Sequence, residues 1–180
     1  MRLPPTSLLL AALLGLSQCK KNDSSPAKPE DQLPPATQTG QHTFGCLLNG
    51  QPWTPSGNVG PANYRLVYDS GYAGGDLEIR AYRYVDVLKD TQYFIIAGAP
   101  VTKTGTYPID GKTIGVYYST GIKGSCYEYY NAPGLKMDGQ LTISRLDLAQ
   151  GIVSGTFNFK LFQPGCDTIK VTQGRFDYKL

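Results

Sequence analysis

From Phe44 to Leu180 the chain never sustains the 3.6-residue apolar spacing of a helix; its apolar residues recur at every second position between turn residues. Leu77, Ile79 and Ala81 alternate with Glu78, Arg80 and Tyr82, the pattern of a half-buried antiparallel strand. Within Ile152–Phe162, Val153, Phe157, Phe159 and Leu161 share one face, with Asn158 and Lys160 on the other. Leu141 and Ile143 point inward in the same way from Gln140–Leu146. Tyr64–Asp69, Gly105–Ile109 and Gly115–Thr120 read as further short strands, and Gln92–Gly98, apolar on both faces, as an interior one. With 21 glycines and 13 prolines breaking up these runs, the expected fold is all-β: an antiparallel β-sandwich or barrel of short strands. The pattern leaves both closures open, since a barrel removes sheet edges whereas a sandwich protects them.

Local signals refine this picture. Asn49-Gly50 marks a two-residue type I′ hairpin, because that turn needs φ > 0 at both central positions. Pro52 cannot donate to a ladder and so places the following arm at an edge. Trp53, the single tryptophan, is expected to cover one end of the core. The inward parity is odd at Ile169 and Val171 but even at Phe176 and Tyr178, so a one-residue slip is expected at Gln173-Gly174, a β-bulge. Val85–Asp90 reads as a single helical turn or a loop, and Ser125–Pro133 as the least regular stretch.

Ahead of this body, residues 1–18 read as a signal peptide. Leu8–Leu16 is too short to span a bilayer as a helix, which takes about 20 residues, and it follows a basic start. The segment ends Leu16-Ser17-Gln18-Cys19, close to a lipobox apart from Gln18, which makes Cys19 the expected lipidation site. Residues 19–41 carry Pro26, Pro29, Pro34 and Pro35 among polar residues and are expected to form a disordered tether. Residues 42–180 are then a single β-domain anchored to the outer membrane, on the periplasmic or the cell-surface side. The membrane is the first expected partner, through the lipid, and an envelope protein or glycan the second.

An exported protein can keep disulfides. Cys126 and Cys166 lie in turn-rich contexts and are the favoured pair, with Cys46–Cys166 as the alternative; Cys46 has core parity and suits a buried free thiol. No C-x-x-C pair or adjacent histidine suggests a metal, and no cofactor fingerprint is present. The formal net charge of +3 is spread along the chain, without the basic stripe of a nucleic-acid binder.

Catalytic devices are sparse. His42 is the single histidine and sits where tether meets domain, a poor place for the rigid base of a triad. A hydrolase using two carboxylates drawn from Asp69, Asp76, Glu78 and Glu128 is the alternative function, as is an inhibitor or subunit role for the Ser125–Pro133 loop. The leading expectation is a non-enzymatic binding or structural accessory domain. Its candidate surface is tyrosine-rich, formed by Tyr82, Tyr84, Tyr117, Tyr118, Tyr127, Tyr129 and Tyr130, because tyrosine joins a large apolar face to a polar tip. The competing expectation is that half of these rings pack in the core or across strands.

Phe44-Gly45-Cys46-Leu47-Leu48-Asn49-Gly50 with Trp53, Ile152-Val153-Ser154-Gly155-Thr156-Phe157, Gly165-Cys166-Asp167-Thr168-Ile169 and Gly174-Arg175-Phe176-Asp177 together resemble a family of uncharacterised Gram-negative lipoproteins. Its marks are an NG-x-x-W opening and an SGTF strand, and it is grouped as a domain of unknown function. The resemblance implies an envelope location and a β-rich fold, and carries over no catalytic residue.

Overall fold

The computed structural model describes residues 28–57, 62–84, 91–122, 124, 126 and 128–180. Those residues are nearly all β: β1 (Thr43–Leu48), β2 (Gln51–Trp53), β3 (Tyr64–Asp69), β4 (Asp76–Tyr84), β5 (Thr91–Gly98), β6 (Gly105–Ile109), β7 (Ile114–Ser119), β8 (Glu128–Tyr129), β9 (Lys136–Asp147), β10 (Ile152–Phe162) and β11 (Ile169–Lys179). They form one open, mostly antiparallel sheet in the order β2-β1-β11-β10-β9-β6-β7-β5-β4-β3, with β8 paired to β7 beside this path.

The sheet folds over on itself as a sandwich. One leaf runs from β2 to β6 and the other from β7 to β3. They join at one side through a single parallel pairing, Ile109 with Ile114. At the other side an isolated bridge links Ser56, just past β2, to Arg83 in β4. Ser56 N–H donates to the Tyr82 carbonyl (3.1 Å) and Tyr84 N–H to that of Ser56 (3.0 Å). The inward residues read from the alternation are the buried ones, including Leu77, Ile79, Ala81, Leu141, Ile143, Val153, Phe157, Phe159 and Leu161. Burial of each large apolar side chain contributes roughly 1.5–3 kcal/mol. Aromatic rings carry the contact between leaves: Phe94 meets Trp53 edge-on at 4.8 Å and Phe159 at 6.2 Å, and Phe44 meets Tyr64 at 5.5 Å.

The local signals fold as expected. Asn49 and Gly50 have φ of 49° and 82°, and β2 is an edge strand of three residues. Against both neighbours β11 carries one extra residue around Gln173, which has φ 54°, so Ile169, Val171 and Phe176 all reach the core despite their different parity. A second bulge, with no counterpart in the apolar pattern, lies in β9 opposite Ser154-Gly155. There β9 comes so close that a Cβ on Gly155 would run into the Thr142 carbonyl and the Phe176 ring, which explains the glycine of the Ser-Gly-Thr-Phe run.

The tether expectation needs correction over residues 28–41. Pro29–Gln32 forms a 3₁₀ turn, Leu33 is buried, and the chain then lies along the outer face of the β10–β11 pair. Asp177 organises this. Its carboxylate accepts from Ser154 Oγ (2.6 Å), Thr37 Oγ1 (2.7 Å) and the backbone N–H groups of Thr39 (3.0 Å), Gly40 (2.8 Å) and Gln41 (3.0 Å). A buried carboxylate 136 to 140 residues away offsets the ordering entropy of a segment with little apolar surface, and composition cannot reveal such a partner. The signal peptide, Cys19 and the Val85–Asp90 stretch lie outside the described residues.

Candidate functional site

The outer face of the second leaf carries a continuous row of tyrosines. Tyr82 stacks on Tyr93 (ring centroids 4.3 Å) and lies parallel to Tyr84 (6.0 Å). Tyr117 meets Tyr93 edge-on at 5.5 Å on one side and Tyr130 at 5.5 Å on the other. Period two produces this row, because Tyr82 and Tyr84 occupy the outward positions of β4, and Tyr93 and Tyr117 face outward from cross-strand neighbours. Tyr130 is 54% exposed and the others are half-buried. The Tyr82 and Tyr93 hydroxyls lie 3.3 Å apart, and Tyr117 donates to Glu128 Oε1 at 2.7 Å. Burial, followed by the Tyr82 hydrogen bond, pushes the Tyr93 phenol above its ordinary range, so it stays neutral. Beside the row runs a groove of about 450 Å³ floored by Ile95, Ala97 and Gly115 and walled by Tyr117, Tyr130 and Met137. The Glu78–Arg80 ion pair (2.6 Å) flanks it on β4.

The seven tyrosines singled out in the sequence therefore divide. Tyr82, Tyr84, Tyr117 and Tyr130 come together on the open face. Tyr118 and Tyr129 have the opposite parity and are buried among core rings, so they leave the outer platform. Tyr127 lies outside the described residues. Tyr93 completes the row, and it was hidden by the doubly apolar run Tyr93–Ala97, in which either face looks like core.

A second concave site opens at the end of the sandwich where β1–β2, β4, β5 and β7 finish. The cleft measures about 700 Å³ and has Trp53 within it. Trp53 is 1% exposed, as expected for a residue covering one end of the core, and its Nε1–H donates to Gln92 Oε1 at 2.7 Å. The Arg83 guanidinium lies 5.2 Å from the Trp53 ring centre. Arg83 continues the inward parity of Leu77, Ile79 and Ala81, and a cation at an apolar-parity position is the sequence signal that would have found this site.

Cys126 and Cys166 are disulfide-bonded, with Cα atoms 5.7 Å apart, and form part of the cleft wall. This is the favoured pairing, and the alternative with Cys46 does not form. Cys46 is a fully buried free thiol, which burial pushes up to about 12 despite the nearby Arg83, so it is protonated and unreactive.

The other candidates line neither the groove nor the end cleft. His42 packs against Tyr178, with ring centroids 4.4 Å apart. Asp69 and Asp76 pair at the end of the β3–β4 hairpin, Glu78 is held by Arg80, and Glu128 accepts from Tyr117. Neither the groove nor the end cleft is lined by two carboxylates. Among the described residues no group of three metal-ligating side chains converges, and no helix is long and apolar enough to cross a membrane.

No curated protein and no solved structure matches the chain. A family profile does match, over residues 71–178, which takes in β4 to β10 and most of β11 and leaves the Asn49–Trp53 opening outside. The chain belongs to the family defined by this domain of unknown function, DUF6252.

Proposed function

We propose that the chain is a lipid-anchored protein of the bacterial outer membrane whose β-domain binds an envelope protein through the tyrosine row, without catalysing a reaction. The observation that carries this reading is the row itself, five contiguous rings beside an apolar groove on a sheet face that no described segment of the chain covers. Tyrosine, methionine and arginine are the residues enriched at protein interfaces, and here they surround one groove with an ion pair at its edge. Tyrosine side chains also lose little conformational freedom on contact, and rings already stacked on one another lose less.

The anchor in this reading is Cys19. Between Cys19 and Lys28 the chain can span at most roughly 30 Å. That is about two fifths of the reach of a tether running to Gln41, so the domain is held close to the lipid surface.

Two measurements test the proposal. With Cys19→Ala the chain should move from the membrane to the soluble fraction, and the N-terminal peptide of the native protein should begin at a diacylated Cys19. A photoreactive residue at position 117 should give one discrete protein adduct in intact cells that is lost with Tyr82→Ala, while the same residue at position 160 on the other leaf should not. Identical adducts at both positions, or an adduct at 117 that contains glycan, would remove the protein-interface reading. Membrane retention of the Cys19→Ala chain would remove the anchor.

A further inference from the structure

The end cleft gathers hydrogen-bond donors whose capacity is only partly used among the described residues. Arg83 gives its Nε–H to the Thr54 carbonyl and one Nη2–H to the Pro52 carbonyl, each at 3.1 Å. Its remaining N–H groups, both of those on Nη1 among them, meet no acceptor among the described residues. Gln92 spends its carbonyl oxygen on Trp53, which leaves its NH₂ pointing donors only. The Tyr118 hydroxyl has no hydrogen-bond partner among the described residues. Arg83, Gln92 and Tyr118 all reach this one space from the inward-facing positions of three neighbouring strands.

The guanidinium also has no counterion among the described residues. The described titratable groups that act on it are Cys46 and Tyr118, and burial keeps both neutral. Asp167 lines the cleft and offers its backbone carbonyl to Tyr129 (2.6 Å), but its exposed carboxylate makes no ion pair with Arg83. A desolvated cation without a counterion is a costly arrangement for a merely structural residue. Leu48, Ile122 and Ile169 give the cleft an apolar part of its lining, beside the polar Asn49, Gln51 and Thr120.

The geometry points to a binding site for a small monocarboxylate carried on an apolar body, with the carboxylate held by Arg83, Gln92 and Tyr118 and the body lying along Leu48 and Ile122. A carboxylate is acceptor-only and matches three groups that can each donate, and the planar guanidinium fork takes its two oxygens side by side. Among the described residues Arg83 is the one cation that lines the cleft, which suits a single negative charge better than a phosphate dianion. This site is separate from the tyrosine row and stands whether or not that row binds a protein.

The test uses the full chain with its disulfide intact and three probes, 4-phenylbutyrate, 4-phenylbutanamide and phenyl phosphate, followed by calorimetry and by the emission of the single tryptophan, Trp53. The carboxylate should bind saturably at one site and change the Trp53 emission, with the amide and the phosphate each at least tenfold weaker. Arg83→Gln should weaken the carboxylate at least tenfold and abolish its advantage over the amide, and Arg83→Lys should restore part of it. Because Arg83 also holds two carbonyls, near-UV circular dichroism checks its folding. Gln92→Leu and Tyr118→Phe provide the test independently, each lowering carboxylate affinity severalfold while leaving the amide unchanged. Equal binding of carboxylate and amide, tightest binding of the phosphate, no saturable binding, or indifference to all these variants would overturn the assignment.

Discussion

Asp177 and Arg83 are both ionic groups drawn out of bulk water by the same sandwich, and they are treated in opposite ways. Asp177 is fully buried beneath the N-terminal segment, with both oxygens occupied by donors from Ser154, Thr37 and the 39–41 backbone. Burial pushes its carboxyl up, but the combined hydrogen bonds, Ser154 and Thr37 foremost, outweigh this and hold it well below the usual carboxylate range. Arg83 is half-buried at the cleft with two bonds to carbonyls, and desolvation pulls its guanidinium below the ordinary value. One charge is completed by the chain itself and fastens it; the other is left with capacity to spare. A satisfied buried charge marks architecture, and an unsatisfied one marks a place for something else to bind.

This contrast can be tested in order of expected effect. The cleft wall is tied by a covalent bond closing a 40-residue separation, so replacing Cys126 and Cys166 by serine should lower stability by about 4 kcal/mol in the chain-entropy picture, read by urea denaturation. Asp177→Ala should cost about 3 kcal/mol and expose residues 37–41 to proteolysis, because several part-buried donors lose one shared acceptor. Asp177 also sets a pH dependence. Its folded pKa lies below the unfolded value of about 3.9, so its contribution is complete above that value and is lost as pH falls further toward the depressed one. The acid limb of a stability–pH curve should therefore flatten in Asp177→Asn.

Arg83→Leu should change stability by no more than about 1 kcal/mol in either direction, since it trades two hydrogen bonds for relief of a desolvated charge. A loss as large as that of Asp177→Ala would erase the comparison and make Arg83 structural. The exposed Glu78–Arg80 pair supplies the baseline: Glu78→Gln should move the unfolding midpoint by less than about 0.5 kcal/mol.

Most of the fold was legible in the sequence because strand periodicity is local. The Leu77–Ala81 and Val153–Leu161 faces, the Asn49-Gly50 hairpin, the edge placement of Pro52 and the slip at Gln173 all follow from alternation and turn chemistry within a few residues. The same rule separates Tyr82, Tyr84 and Tyr117 from Tyr118 and Tyr129, which were grouped together as one surface although their parity already differs. Tyr93 could not be assigned in that way, because a run apolar at every position gives alternation nothing to distinguish.

By itself the sequence determined the all-β class, the core faces, the turns and the pairing preference of Cys126 with Cys166. Tertiary structure alone decided three things. The sheet folds as a sandwich joined at Ile109–Ile114 and Ser56–Arg83, residues 28–41 fasten to Asp177, and Arg83, Gln92 and Tyr118 converge on one cleft. Each depends on partners brought together from different strands or distant segments, whose approach follows from the packing of whole leaves and leaves no mark in any local pattern.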